Sequence, residues 1–199
     1  MSKINGIERI RQSSIEITQI NDKFIEELKN NKKICDHIHI PLQSGSDSIL
    51  KLMNRKYDLK YFFDKIDMIR SVRPDISITT DVIVGFPGET EEMFLETIQT
   101  CKKVNFSKIH AFPYSERKGT KASMMDGKVP ESVKHERFKK LLELSDSLEK
   151  SYYDKFKGKK LDVLIEEASE SGSKGHTSNY LMVHTNEKLQ KGEIYNLIV

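Results

Sequence analysis

Cysteine is scarce in this chain, and the scarcity limits the chemistry that the chain can carry. Its two cysteines, Cys35 and Cys101, lie far apart, and neither has a second cysteine at the spacing of a metal site. We interpret both as reduced core thiols of a cytoplasmic protein, because buried thiols behave as small apolar side chains. A disulfide between them is the alternative.

Net charge and long apolar runs are also scarce. The 33 basic and 30 acidic residues leave a net charge of +3, so only a local basic cluster can indicate a nucleic-acid partner. No apolar run approaches the ~20 residues that span a bilayer. The first residues, MSKINGIERIRQSS, lack the apolar segment of a secretory signal. We therefore expect no membrane partner and a cytoplasmic location.

Strand and helix patterns alternate through the first part of the chain. Hydrophobic residues make up 37% of its 199 residues, which is enough for a core. Apolar runs predict strands at 33–40, 76–84 and 106–112, with a further strand at 8–15. Helical spacing predicts helices at 21–30, 47–54, 59–72 and from Thr90 onward. This alternation predicts the α/β class with a parallel sheet, which is open or incomplete because eight strands do not fit.

The pattern changes after a long helix that begins at Pro130 and that we expect Gly158 to end. One apolar stripe runs along this helix, formed by Leu141, Leu144, Leu148 and Tyr152. Short apolar stretches then follow at 160–166, 180–183 and 194–199, with a Gly/Ser-rich turn at 169–175. Such strands and turns predict a small antiparallel β-module. We place the boundary near Lys157, between an α/β part at 1–156 and a β-module at 157–199.

Two segments, HIPLQSGSD at 39–47 and TTDVIVGFPGET at 79–90, each run from an apolar strand into a Gly-containing polar turn and then a helix. The carboxyl ends of parallel strands meet at one edge of a sheet, so we expect one shared pocket. Gly85 and Gly88 permit close approach of a ligand, and the amides that follow favour an anionic group. Glu89 argues against a nucleotide P-loop. A tight connection without a ligand is the alternative.

Neutral and basic polar side chains add to this prediction. Gln43 and Ser44 suit the hydroxyls of a ribose or the polar edge of a base, although the same turn also serves as a helix cap. Basic and hydroxyl groups follow the last predicted strand, at Tyr114, Ser115, Arg117, Lys118 and Lys121. They can hold a phosphate, or they form a solvated loop.

The histidines do not predict a metal site. His37 and His39 are two residues apart, so they share one face of a strand, but the sequence places no third ligand. We interpret them as hydrogen-bonded histidines of the core or of a barrel interior. The remaining histidines form no spacing that indicates a site; they are His110, His135, His176 and His184.

Three segments, HIPLQSGSDSILKLMNR, TTDVIVGFPGET and FPYSERKGTKA, resemble the methylthiotransferases of the radical S-adenosylmethionine (SAM) superfamily. RIRQSSIE, at 9–16, resembles the strand that precedes them, so the resemblance covers nearly the whole chain in order. Within the family, FSKIHAFPYSERKGTKA and GHTSNYL are most similar to the enzymes that act on threonylcarbamoyladenosine in tRNA. They are less similar to those that act on isopentenyladenosine or on a ribosomal protein.

The resemblance implies a fold and a reaction. The expected fold is a partial (β/α) barrel, here its second half without the first two strands, followed by a small β-barrel called TRAM. The expected cofactors are S-adenosylmethionine and two [4Fe–4S] clusters, one of which cleaves S-adenosylmethionine to a 5′-deoxyadenosyl radical. The radical abstracts hydrogen from an adenosine base of tRNA, and a methylthio group is installed.

The resemblance also implies roles for individual residues, although it identifies no catalytic side chain. The expected S-adenosylmethionine-binding residues are Gln43, Ser44, Ile83, Gly85 and Tyr114, while Glu89 supports their turn. The expected contacts of the β-module with tRNA phosphates are Lys157, Lys159, Lys160 and Lys174.

The chain also departs from the family pattern. The family's first cluster needs three cysteines spaced C-x-x-x-C-x-x-C, and two cysteines cannot ligate it, so its ligands are expected in an amino-terminal part outside this chain. We expect a carboxy-terminal fragment that is inactive alone, whose uncovered edge near 8–15 promotes self-association. The alternatives are a non-catalytic tRNA-binding module and a complete small α/β enzyme with another anionic ligand.

Overall fold

A computed structural model describes residues 2–199, which form one helix-covered parallel sheet and one antiparallel sheet. The helices are α1 (Asp22–Asn30), α2 (Asp47–Leu52), α3 (Leu59–Val72), α4 (Glu91–Val104) and α5 (Glu131–Asp154). The strands are β1 (His37–His39), β2 (Ser77–Val84), β3 (Lys108–Pro113), β4 (Lys160–Ser169), β5 (Gly172–Thr177), β6 (Met182–Thr185) and β7 (Ile194–Ile198). Within residues 2–199, no helix combines the length and the apolar character that crossing a membrane requires.

The parallel sheet has the strand order β1-β2-β3, as expected of βαβ units. Its alternating residues divide between two faces. Ile38, Ile78 and Ile109 belong to the buried apolar core, which also contains helix residues such as Phe62 and Phe94. The opposite face carries the polar residues of the same strands, and it borders the cavities described below. The sheet thus has one face packed on helices and one polar face.

Local signals set most of the helix ends. The side chains of Asn21, Asp58 and Thr90 accept hydrogen bonds from amides of the first turns of α1, α3 and α4. Asn105 ends α4 in the left-handed conformation, with φ 55°. These ends agree with the sequence predictions to within a few residues.

The first two predicted strands are much shorter in the structure than the sequence predicts. The strand predicted at 33–40 is only β1, and the strand predicted at 8–15 is reduced to one bridge, between Ile10 and Ile34. The guanidinium of Arg9 instead donates to carbonyls of the β-module at His176 and Asp162. The segment nevertheless stays along the edge of the sheet, because the amide of Ile15 donates to the carbonyl of His39 at 3.0 Å. Its side chains are also better covered than expected, since Ile15 is buried.

The predicted β-module is a four-stranded antiparallel sheet with the order β6-β5-β4-β7. The glycine-rich turn predicted at 169–175 is shorter, because Gly172 and Gly175 belong to β5. A Cβ on Gly175 would lie 1.8 Å from the carbonyl oxygen of Leu164, so close approach of two backbones requires this glycine. Val163, Ile165 and Val183 form the core of the module.

The long helix α5 connects the two sheets. It ends at Asp154, before the predicted stop, and Gly158 follows with φ +78° and donates its amide to the carbonyl of Val199. Tyr152 donates its hydroxyl to the carbonyl of Asp75 at 2.8 Å and accepts from Asn179 of the module at 3.1 Å. The helix therefore positions the module beneath the amino ends of the parallel strands.

Candidate functional site

A cavity of about 530 Å³ opens where the strands of the parallel sheet end, and we call it the carboxyl-end cavity. Its lining includes Gln43, Asp81, Ile83, Phe112, Tyr114 and Arg117. The amide of Gln43 donates to the carbonyl of Asp81, and the amide of Ile83 donates to the carbonyl of Gln43, each at 2.8 Å. These two bonds hold the polar turns side by side. The first turn therefore lines the cavity through Gln43, whereas the second motif lines it through Asp81 and Ile83 of its strand and not through its turn.

Gln43 adopts an unusual backbone conformation at this cavity, with φ 68°. Residues other than glycine rarely adopt positive φ, because the Cβ then crowds the backbone. The two hydrogen bonds to β2 hold the residue in place. Such strain is concentrated at functional sites, so its occurrence here favours a ligand-binding role for the cavity.

Tyr114 contributes its ring to the lining of the cavity and carries a buried hydroxyl without a partner in the described part of the chain. Its ring meets the ring of Phe86 edge to face at 5.2 Å, and its amide donates to the carbonyl of Val84 at 2.8 Å. The hydroxyl oxygen is buried and has no hydrogen-bond partner among residues 2–199. A buried polar atom without a partner destabilises the fold, and a ligand that hydrogen-bonds to it would remove this cost.

Ser44 and Gly85 lie behind the cavity rather than on its lining. Ser44 is fully buried, and its hydroxyl lies 3.4 Å from that of Thr97, so it attaches the first turn to α4. Gly85 has φ +74°, and a Cβ on it would lie 2.1 Å from Cγ of Lys134. Of the five residues expected to bind S-adenosylmethionine, the structure therefore gathers Gln43, Ile83 and Tyr114.

Glu89 supports the second turn, as expected. Its carboxylate accepts from the amide of Gly85 at 2.7 Å and from Arg137 at 2.8 Å, and both Glu89 and Arg137 are buried. Burial raises the pKa of Glu89 above its ordinary value, against the opposing effects of the Gly85 amide and Arg137. No local sequence pattern indicates Arg137 as the partner of Glu89, because it lies on α5, 48 residues away.

A second cavity, of about 630 Å³, lies on the same sheet face at the amino ends of the strands, and we call it the histidine cavity. Four histidines line it: His37, His39, His110 and His176. The sequence alone groups only the first two, so the position of His110 and His176 beside them is a correction. Tyr180 stacks on His37 at 4.6 Å and on His176 at 4.3 Å between ring centroids. The β-module therefore packs against this end of the sheet face through aromatic contacts.

Hydrogen bonds keep these histidines in fixed orientations. The hydroxyl of Thr79 lies 3.0 Å from Nε2 of His37 and 3.0 Å from Nδ1 of His39, whose Nε2 lies 3.2 Å from Asp81. Burial, with smaller effects of Arg11 and the other histidines, lowers the pKa of His37 to about 4. No group of three potential ligands within residues 2–199 is placed to hold a metal ion.

The lysines expected to contact tRNA differ in their surroundings. Lys157, Lys159 and Lys160 are exposed and follow one another where α5 passes into β4. Lys174 is only half exposed and forms an ion pair with Glu167 at 2.9 Å. Three of the four are therefore accessible as one basic cluster, while a neighbouring carboxylate neutralises the fourth.

Comparison with known proteins gives three findings. A sequence profile of the radical SAM superfamily matches residues 2–101. The chain is 46% identical over 187 residues to the threonylcarbamoyladenosine tRNA methylthiotransferase of Bacillus subtilis, covering 92% of the chain and 42% of that protein. It is 45% identical over 174 residues to the tRNA-2-methylthio-N(6)-dimethylallyladenosine synthase of Acetivibrio thermocellus, covering 87% and 36%.

Among solved structures, the chain is similar to the coproporphyrinogen III oxidase of Escherichia coli, a radical SAM enzyme. The TM-score is 0.56 at 17% identity, over 68% of this chain and 32% of that one, so the likeness concerns the fold. The chain spans less than half the length of the two methylthiolating relatives.

Proposed function

The chain belongs to the radical SAM superfamily, and we propose that it forms the part of a tRNA methylthiotransferase that binds S-adenosylmethionine and contacts tRNA. The observation that carries this proposal is the carboxyl-end cavity. It joins Gln43, Ile83 and Tyr114 from three different strand ends, in a chain 46% identical to a tRNA methylthiotransferase. Superfamily membership supports the cofactor class, and the relatives support the substrate class.

The lining of the carboxyl-end cavity suits S-adenosylmethionine. Ile83 and Phe112 offer apolar surface for the faces of an adenine ring, and Gln43 and Asp81 offer polar groups for its edge and for ribose hydroxyls. The unpartnered hydroxyl of Tyr114 provides one more hydrogen bond. When bound, S-adenosylmethionine supplies the radical chemistry of this superfamily, while the residues of this chain bind and orient it.

The residues of this chain do not fit the iron–sulfur cluster that the superfamily also uses. A [4Fe–4S] cluster is held by several thiolates, and the chain has two cysteines, both buried. Burial raises the pKa of Cys101 to about 12, which disfavours the thiolate that binds iron. We therefore propose that the cluster ligands lie outside this chain, and we assign no reaction step to its cysteines.

The proposed substrate is a modified adenosine of tRNA, and we propose threonylcarbamoyladenosine. The names of the two relatives share the adenosine and differ in its modification, and their identities of 46% and 45% support both modifications about equally. The Bacillus subtilis relative and the motif around Tyr114 support the threonylcarbamoyl form. A tRNA substrate implies a cytoplasmic location. Lys157, Lys159 and Lys160 are proposed phosphate contacts.

Calorimetric titration of the chain with S-adenosylmethionine tests the proposed cofactor site. We expect saturable binding, and we expect Ile83→Arg to weaken it at least about tenfold, because the longer charged side chain occupies the cavity. Ile198→Arg is the matched control, because Ile198 is 61% exposed on β7 and remote from the cavity. Absence of binding by the wild-type chain, or equal binding by both variants, would refute the proposed site.

A second candidate function is tRNA binding without catalysis. The misfit between the two buried cysteines and the cluster favours it, together with the exposed cluster of three lysines. Filter binding at two salt concentrations should show affinity that falls steeply with salt, because phosphate contacts release counterions. Replacing all three lysines by glutamine should reduce the slope by about two to three, and replacing the exposed Lys23, Lys29 and Lys32 should not.

A further inference from the structure

The first turns of α5 carry two buried basic side chains that face the carboxyl-end cavity from behind. Lys134 is 8% exposed and Arg137 is 5% exposed, although such residues are seldom buried without a structural reason. They are three positions apart on the helix, so they share one face. This face contacts the turn formed by residues 85–89, which we call the Gly85 turn, and also the end of β3.

The stem of Lys134 lies directly on the backbone of Gly85. A Cβ added to Gly85 would meet Cγ of Lys134 at 2.1 Å and Cδ at 2.6 Å. Only glycine leaves room for this contact, and its φ of +74° also favours glycine. The contact therefore sets the distance between the Gly85 turn and α5.

The ammonium group of Lys134 reaches past the turn to the neighbouring strand end. It donates to the carbonyl oxygen of Tyr114 at 3.3 Å and forms an ion pair with Glu131. The amide of Tyr114 donates a hydrogen bond to the carbonyl of Val84, the residue before Gly85. Lys134 thus contacts the ends of both β2 and β3. Its stem packs on Gly85 after β2, and its ammonium group donates to Tyr114 after β3.

Arg137 fixes the far side of the same turn. Its guanidinium donates to the backbone carbonyl of Glu89 at 3.1 Å and to the carboxylate of Glu89 at 2.8 Å. Removing Arg137 would leave a buried carboxylate without its cation, so its role includes stability. Lys134 has no such buried carboxylate, since Glu131 is exposed. The two residues can therefore be separated by experiment.

We infer that Lys134 is a positioning residue for S-adenosylmethionine: it holds the Gly85 turn and the Tyr114 strand end at the spacing that the ligand requires. This inference rests on the proposed function of the carboxyl-end cavity. Lys134 does not line the cavity and acts through Tyr114 and the Gly85 turn.

The test compares Lys134→Met with Lys139→Met in the whole chain. Methionine keeps most of the stem and removes the ammonium group, and Lys139 is an exposed residue of the same helix. Titration with S-adenosylmethionine should show binding about tenfold weaker for Lys134→Met, because the hydrogen bond that holds the Tyr114 strand end beside the Gly85 turn is lost. Thermal unfolding should occur at similar temperatures in both variants, which a purely structural role of Lys134 would not allow.

Hydrogen exchange provides a second measurement that needs no ligand. Peptides that contain residues 83–89 and 112–116 should exchange faster in Lys134→Met than in Lys139→Met. Equal ligand affinity of Lys134→Met and wild type would overturn the inference and leave the proposed function intact. A wild-type chain that binds no S-adenosylmethionine would refute the proposed function, and unchanged exchange in both segments would then refute the positioning role as well.

Discussion

At the carboxyl end of the parallel sheet, Gln43 and Tyr114 border one cavity, whereas at the amino end His37 and His39 border a second cavity that the β-module also lines. Both cavities lie on the same polar face of the same three strands. Their contacts differ in direction: α5 supports the first cavity from behind, and Tyr180 covers the second from the front. A cavity supported from behind keeps its lining available to a ligand.

The histidine cavity shows the opposite arrangement. Its rings contact one another, since Tyr180 stacks between His37 and His176, and the guanidinium of Arg11 lies 4.6 Å from the centroid of Tyr180. These groups come from the amino-terminal segment, the sheet and the module, so the contacts join three parts of the chain. One sheet face therefore borders a cavity at one end and packs against the β-module through aromatic and cation–π contacts at the other.

Arg137→Met should give the largest effect, at the carboxyl end. The substitution leaves the buried carboxylate of Glu89 without its cation, which should lower the free energy of unfolding by about 3–5 kcal/mol. Burial already raises the pKa of Glu89, so folding favours its protonated form, and stability is lost as pH rises through the raised pKa. Without Arg137 the pKa rises further, so the loss should be greater near pH 8 than near pH 5.

Urea denaturation at the two pH values measures this effect. Lys140→Met is the control, because Lys140 is half exposed on the same helix and its ion pairs are with exposed carboxylates. A defect of the same size at both pH values would contradict the assignment of Glu89 as the responsible group.

Gly85→Ala should give the next largest effect. It tests whether a residue behind the carboxyl-end cavity affects the binding that the lining residues provide. The new Cβ would lie 2.1 Å from Cγ of Lys134 and would require positive φ, so we expect about 2–4 kcal/mol of destabilisation and weaker S-adenosylmethionine binding. Gly119→Ala is the matched control, with φ +82° and open space around it, and should cost only about 1–2 kcal/mol. Thermal unfolding and calorimetry measure both, and equal losses would show that crowding by Lys134 is unimportant.

His37→Gln should give the smallest effect, at the amino end, and should change how stability depends on pH in acid. Burial lowers the pKa of His37 to about 4, so the folded state disfavours its protonation. Its contribution is therefore present above the ordinary pKa of 6.5 and is lost as pH falls toward 4. The wild type should lose about 2 kcal/mol from this group between pH 8 and pH 5, and the variant should lack that loss.

The control for this prediction is His135→Gln, since His135 is exposed on α5. Binding of S-adenosylmethionine should be the same in both histidine variants at neutral pH, because the histidine cavity lies at the other end of the sheet. Weaker binding by His37→Gln alone would break the comparison and show that the two ends are coupled.

The sequence by itself determined the features that depend on near neighbours along the chain. Asn21, Asp58 and Thr90 cap helices through amides three residues ahead, and the β-branched apolar run at 76–84 predicts β2. The long motifs of the two turns identified the superfamily and the meeting of Gln43 with Ile83 at one cavity.

The tertiary structure alone decided which distant residues complete these local features. Arg137 reaches Glu89 across 48 residues, and His176 joins His37 through Tyr180 of the β-module. Ser44 and Gly85 carry the motif but lie behind the cavity, because α4 and α5 pack against them. Local patterns are set by backbone geometry within a turn or two. Contacts between elements depend on how whole faces pack, and no short stretch of sequence encodes that packing.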